Sequence, residues 1–147
     1  GDKGVREYAE SARIIKEKHP EAEFHLVGWI DDNPSAISQA ELDTWIADGR
    51  LKYWGKLSDV RPAIAECSVY VLPSYREGTP RTVLEAMAMG RAIITTDAPG
   101  CRETVTNGVN GYLVAVKSVN DLVQCMQYFI EDPKLIEYMD SVREKLR

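Results

Sequence analysis

Two carboxylates, Glu77 and Glu85, stand eight positions apart, and between them lie Gly78, Thr79 and Pro80. Thr79 is a favoured N-cap type and Pro80 suits a first helical position. The sequence therefore predicts a helix starting there, with Val83, Leu84, Ala86, Met87 and Ala88 as its buried side. The first N–H groups of a helix lack partners and carry partial positive charge, which favours phosphate. Pro80 has no N–H, but Arg81, Thr82 and Val83 keep theirs. Glu85 lies roughly 7.5 Å beyond Pro80 along the axis at the usual helical rise. A diphosphate at the helix start would have one carboxylate near each end, and carboxylates accept hydrogen bonds from paired sugar hydroxyls. A nucleotide sugar has that order of groups: ribose, two phosphates, sugar. The same spacing also fits a capped surface helix with two solvated acids, since acids near helix starts are common for dipole reasons alone.

The elements that must hold these residues alternate along the chain. Val5 to Lys18 reads as an amphipathic helix with Val5, Tyr8, Ala12, Ile15 and Ile14 as its stripe, ended by His19-Pro20. Glu23–Gly28 follows as a strand, and His25 within it reads as a packing residue. Ser38-Gln-Ala-Glu41 has the form of a capping box for a helix to Asp48, stopped by Gly49. Leu51–Trp54 is a short strand and Gly55–Ser58 the loop after it; a helix starts at Ser58 and ends near Glu66. Val69–Leu72 is a buried strand leading into the two-acid motif, and Ala92–Thr95 another. Asp97–Arg102 reads as a Pro/Gly loop, Asn107-Gly108 and Asn110-Gly111 as turns, Tyr112–Val114 as a last strand. Ser118 begins a helix through Ile130, and Pro133 opens a final one. Such alternation implies a parallel sheet with helices on both faces, whose ligands bind at the carboxyl ends of the strands. The motif begins just past such an end, at Leu72-Pro73.

At 147 residues there is room for one compact domain. Apolar content of 44% and charged content of 28% are those of a globular protein, and the net charge of −5 argues against a nucleic-acid partner. Cys67, Cys101 and Cys125 are odd in number and lack metal spacing. Cys67 and Cys125 lie in apolar segments and read as buried thiols, Cys101 as a loop residue; together they fit a reducing compartment. No signal peptide or membrane-length apolar run is present.

The pattern Glu77-Gly-x-Pro-x-x-x-Leu-Glu85-Ala-Met-Ala-x-Gly90, followed by Ala92-Ile-Ile-Thr-Thr-Asp-Ala-Pro-Gly100 and Gly108-x-Asn-Gly111, closely resembles retaining glycosyltransferases of family four, which have the GT-B fold. The resemblance runs from Lys3-Gly4 to the last helices. Asp31–Ile37 and Pro73–Gly78 carry a narrower likeness to transferases that build bacterial surface polysaccharides, or glycans on a lipid-diphosphate carrier. It implies a Rossmann-like domain over residues 1–147, the carboxy-terminal donor-binding half of a two-domain cytoplasmic enzyme. The acceptor domain and one central strand would then lie before Gly1, a naturally short chain being the alternative, and the fragment alone is expected to be inactive.

The resemblance also assigns roles. Glu77 would hold donor-sugar hydroxyls near the anomeric carbon, and Glu85 the ribose. Gly78 and Thr79 would allow close backbone approach to the sugar, although many members have glycine where Pro80 stands. Arg81 and Thr82 would offer amides to the diphosphate. Lys3 matches the lysine of an Arg…Lys pair that neutralises the leaving group, with the arginine before Gly1. Lys56 lies in the loop set against the base; Arg76 and Arg102 read as surface charges. The implied reaction is sugar transfer with retained configuration and no metal or other cofactor. UDP-GalNAc, UDP-galactose and UDP-GlcNAc all fit as donors and GDP-mannose stays open. The acceptor would be lipid-linked or a glycan, reached by peripheral association with the inner face of a membrane. The competing expectations are a non-catalytic Rossmann-like nucleotide or phosphate binder and a nucleotide-sugar epimerase of the same architecture.

Overall fold

The computed structural model describes residues 3–28, 37–75 and 81–145, with side chains as far as Met139. Helix α1 is Val5–Lys18, as its periodicity requires; Ala9, Ser11, Ala12 and Ile15 are buried, while Arg13 bonds Glu10 and Glu17 outside. Strand β1 is His25–Val27, shorter than the run Glu23–Gly28. Helix α2, Gln39–Ala47, opens on the expected capping box: Glu41 N donates to Ser38 Oγ at 3.1 Å and Ser38 N to Glu41 Oε1 at 3.0 Å. Arg6 on α1 bonds the same Glu41, and that hydrogen bond above all lowers its carboxyl to about 2.

Strand β2 is Lys52–Gly55 and helix α3 Arg61–Ala65. This helix starts three residues later than Ser58, because Asp59 folds back to accept from Arg61 N at 3.0 Å and holds the intervening chain in a turn. Strand β3 is Val69–Leu72, helix α4 Arg81–Ala88 and strand β4 Ala92–Thr96. Helix α4 buries Val83 and Ala86, whereas Leu84 is 47% exposed and Ala88 is also outside. The expected five-residue buried side is too wide for one face of a two-turn helix. Strand β5 is Gly111–Val114, helix α5 Val119–Glu131 with Ser118 accepting from Asp121 N, and helix α6 Lys134–Lys145.

Among the described residues every strand pairing is parallel: β1 with β2, β3 with β4, and β4 with β5. Side chains alternate across the larger sheet. Val69, Val71, Ile94 and Val114 join the core beneath α1 and α5, while Tyr70, Leu72, Ile93 and Leu113 join the core of α3 and α4. Helices thus cover both faces. Among the described residues, however, the strands form two sheets, β1–β2 and β3–β4–β5. Between them runs a cleft of about 1190 Å³, walled by β1 with the adjoining Gly28 and by β3 with the adjoining Ser68 and Pro73, with Tyr8 of α1 and Phe129 of α5 over one face and Ile64 of α3 on the other.

Gly111 explains part of the Gly108-x-Asn-Gly111 signal. A Cβ at Gly111 would lie 2.0 Å from the Ile93 carbonyl oxygen, so β4 and β5 approach only because the side chain is absent. Gly111→Ala is expected to cost about 2 kcal/mol, read as a lower urea midpoint; an unchanged midpoint would contradict this close approach. Cys101, expected as a loop residue, lies in a turn and is fully buried because the turn closes over it: Cys101 N donates to Ala98 O and Thr104 Oγ1 to Cys101 O. All three cysteines are free, with Cys67 half-buried. Burial raises the Cys67 thiol against a lowering by Arg91, and burial pushes Cys125 up to about 11, so neither is a ready nucleophile. Trp54 Nε1 donates to His25 Nδ1 at 2.9 Å, which accounts for His25 as a packing residue.

Candidate functional site

The carboxyl end of β3 is anchored from two sides. Thr95 and Thr96 of β4 are buried and donate to the carbonyls of Leu72 at 2.9 Å and Ser74 at 2.5 Å. From the other side comes Gly4, at φ 71°; a Cβ there would fall 1.9 Å from the Pro73 carbonyl oxygen. The turn before α1 therefore lies flat against the chain leaving β3. That contact brings Lys3 to the mouth of the cleft, with Arg81 and Thr82 of α4, and with Leu72, Pro73 and Gly28 from the strand ends.

Lys3 and Arg81 are exposed, while Thr82 is half-buried. The Tyr70 hydroxyl of β3 donates to Thr82 Oγ1 at 2.6 Å, tying the first turn of α4 to the sheet. Thr82 is thus fixed through its side chain. Two cationic side chains and the first turn of a helix, set near the carboxyl end of a parallel strand, suit an anionic ligand.

Glu85 is not drawn into the cleft. It sits on the exposed side of α4, one turn past Arg81. Its charge reaches Arg61, whose guanidinium is raised first by its hydrogen bond to Asp59 and last by the charge of Glu85. Lys56 is exposed beyond β2 and does not line the cleft, although Leu57 and Val60 of the same loop do. Glu77, Gly78 and Thr79 lie outside the described residues, as do Arg76, Pro80 and the stretch 29–36. Arg102 pairs with Asp97 at 3.2 Å as a surface charge. Among the described residues no group of three or more His, Cys, Asp or Glu side chains is placed to hold a metal ion, and no helix is long and apolar enough to cross a membrane.

Three residues to which the sequence reading gave no role in the site lie near this end of β3. The Tyr75 hydroxyl donates to Glu7 Oε1 at 2.5 Å, and Lys117 Nζ lies 5.0 Å from the centroid of the Tyr75 ring. Glu7 and Tyr75 are 68 positions apart, so no local pattern links them.

Residues 1–132 match the family described as Glycosyl transferases group 1. The chain is 41% identical over 133 residues to an N,N'-diacetylbacillosaminyl-diphospho-undecaprenol alpha-1,3-N-acetylgalactosaminyltransferase of Campylobacter jejuni, covering 90% of this chain and 34% of that protein. The chain thus spans about a third of that relative's length. Its fold is that of Anabaena HepE solved with UDP, with a TM-score of 0.84 at 24% identity over 99% of this chain and 40% of the other. It also overlays the C-terminal domain of a group 1 glycosyl transferase (LpcC) from Francisella tularensis, with a TM-score of 0.83 at 24% identity, over 99% of this chain and 77% of that one. A family match along almost the whole chain, joined to parallel sheets with an anion-suited mouth at their carboxyl ends, has one reading: the chain belongs to the group 1 glycosyl transferases.

Proposed function

We propose that this chain is the donor-binding half of a retaining glycosyltransferase that moves a sugar from a UDP donor to a lipid-diphosphate-linked acceptor at the inner face of a membrane. The observation that supports the reading is that Lys3, Arg81 and Thr82 all line the cleft of which β3 is a wall. Here α4 amides and Lys3 receive the diphosphate and stabilise the charge that grows on it as the sugar leaves. Glu85, a turn further along α4, accepts from the ribose hydroxyls. Glu77, with Gly78 and Thr79, takes the sugar, and Lys56 lies toward the base. The protein supplies the positive charge itself, so no metal is required. N-acetylgalactosamine is the first sugar to test, because the 41% identical relative is named for its transfer. The acceptor site, and the strand that closes the cleft between β1 and β3, belong to a longer protein in this reading.

The test is mass spectrometry of products formed by the complete protein from UDP-GalNAc, UDP-GlcNAc, UDP-galactose and GDP-mannose on an undecaprenyl-diphosphate-linked acceptor. Transfer from a UDP sugar, with retained configuration and undiminished in EDTA, is expected. No transfer from any donor, together with no saturable calorimetric signal for UDP, overturns the reading.

A further inference from the structure

Helix α4 is held to the rest of the fold in different ways along its length. Its far end is pinned by Arg91, whose guanidinium donates to the carbonyls of Ile64, Met89 and Ala65 at 3.2, 3.0 and 3.3 Å, while Arg91 N donates to Ala86 O. Its middle is packed: Val83 and Ala86 are fully buried and join Ile64 and Ile93 in one core. Its first turn lies further out, with Arg81 exposed and Thr82 half-buried. That turn is tied to the sheet by the hydrogen bond from the Tyr70 hydroxyl to Thr82 Oγ1.

Both ends of this bond are stiff. Tyr70 lies in β3, in register with Ile93 of β4, and its side chain packs partly buried in the core of α3 and α4. A tyrosine side chain turns about two bonds only, so little freedom separates its hydroxyl from the strand that carries it. Threonine is branched at Cβ and restricted at χ1, so holding Oγ1 also holds the backbone at position 82. The bond therefore passes the position of β3 on to the start of α4. Tyr70, Arg81 and Thr82 line the same cleft as Lys3. The turn that Tyr70 holds thus belongs to the wall where the diphosphate is received.

We propose that Tyr70 is a positioning residue for nucleotide binding, which sets the first turn of α4 where that turn and Lys3 can grip the diphosphate together. This rests on the glycosyltransferase reading above. Hydrogen bonds to an anion weaken steeply when donor and acceptor are misplaced. A turn that the ligand must first order also costs affinity that a turn already held does not. The uridine part of the donor depends on other contacts. Glu85, the ribose holder in this reading, lies between the buried Val83 and Ala86, in the packed part of α4.

The test is NMR-monitored titration of the complete protein with UDP and with uridine, repeated on Tyr70→Phe, which removes one oxygen and keeps the ring. UDP is expected to bind the variant about fivefold more weakly, and uridine within about twofold of the parent. Thr82→Val keeps the branched shape and removes the acceptor. It is expected to show the same loss for UDP, and the double variant to be no worse than the poorer single one, because each breaks the same contact. A Tyr70→Phe protein that binds UDP as the parent does, even with a lowered thermal midpoint, would show that the bond serves the fold alone and overturn the proposal. UDP and uridine weakened by the same factor would overturn it equally, since the diphosphate would then have no special need of this turn. A parent protein that binds no UDP removes the glycosyltransferase reading itself and this proposal with it.

Discussion

Adding an extended apolar segment of five or six residues ahead of Gly1 is expected to raise the thermal midpoint by roughly 10 °C. The cleft between β1 and β3 has the shape of a strand rather than of a small ligand. At about 1190 Å³ it exceeds most small-molecule pockets. Its two long walls are strand edges that find no partner among the described residues on that side, and such edges call for backbone donors and acceptors. Helices cover it on both faces, as they cover the strands beside it. Lys3 stands at its carboxyl-end mouth, so a parallel strand rising through the cleft would deliver the chain to the start of α1, and α1 then returns it to β1. Strand–helix–strand connections of this kind are right-handed in nearly all parallel sheets.

The magnitude follows from opposing contributions. A buried Val- or Leu-class side chain contributes about 1.5–3 kcal/mol, against about 1.5 kcal/mol for ordering each residue. Five residues leave a net between zero and about 7.5 kcal/mol, with a midpoint of about 4 kcal/mol. At about 2–4 °C per kcal/mol for a domain of this size, the shift is on the order of 10 °C. The discriminating control replaces the central added residue with proline, which removes a ladder donor. An apolar extension that leaves the midpoint unchanged, or a proline version that raises it equally, would remove the cleft as a strand site.

What the sequence disclosed and what it concealed divide by range. Local signals held. The stripe of α1 gave its ends, and the capping box Ser38–Glu41 is present atom for atom. The place of the mouth followed from Val69–Leu72 reading as a strand, since ligands in parallel sheets gather at strand ends. Contacts between distant segments left no trace. Thr95 and Thr96 read only as strand residues, yet they anchor the chain beyond β3 from 23 and 22 positions away. Glu7 read as part of a charged helix face. Leu84 failed differently: apolar composition suggested burial, but helical geometry turned Val83 and Ala86 inward, with Met87 packed partly buried beside them, and left Leu84 outside. Lys56 was placed by resemblance alone, and the cleft takes up its neighbours Leu57 and Val60 instead.

The second large effect is expected at Glu85. Glu85→Ala should weaken UDP binding about 100-fold while leaving the fold intact. The side chain is exposed on α4, so its removal opens no cavity and disturbs no core. Its nearby cation, Arg61, is held by Asp59 through bonds of 3.0 and 2.9 Å. Ribose offers two adjacent hydroxyls, and a hydrogen bond to a charged acceptor contributes about 1.5–3 kcal/mol. Two such bonds at the lower end give about 3 kcal/mol, or roughly 100-fold in Kd. Surface helix acids that bind nothing change stability by about half a kcal/mol or less on removal, so the measurement separates ribose holder from solvated acid. A nucleotide lacking one hydroxyl closes the argument. On the parent protein 2′-deoxy-UDP is expected to bind about tenfold more weakly than UDP, and on Glu85→Ala the two should bind alike, because the carboxylate that told them apart is gone. Calorimetry in which Glu85→Ala still prefers UDP by the parent's margin would assign the ribose to another residue and return Glu85 to the solvent-facing side of an ordinary helix.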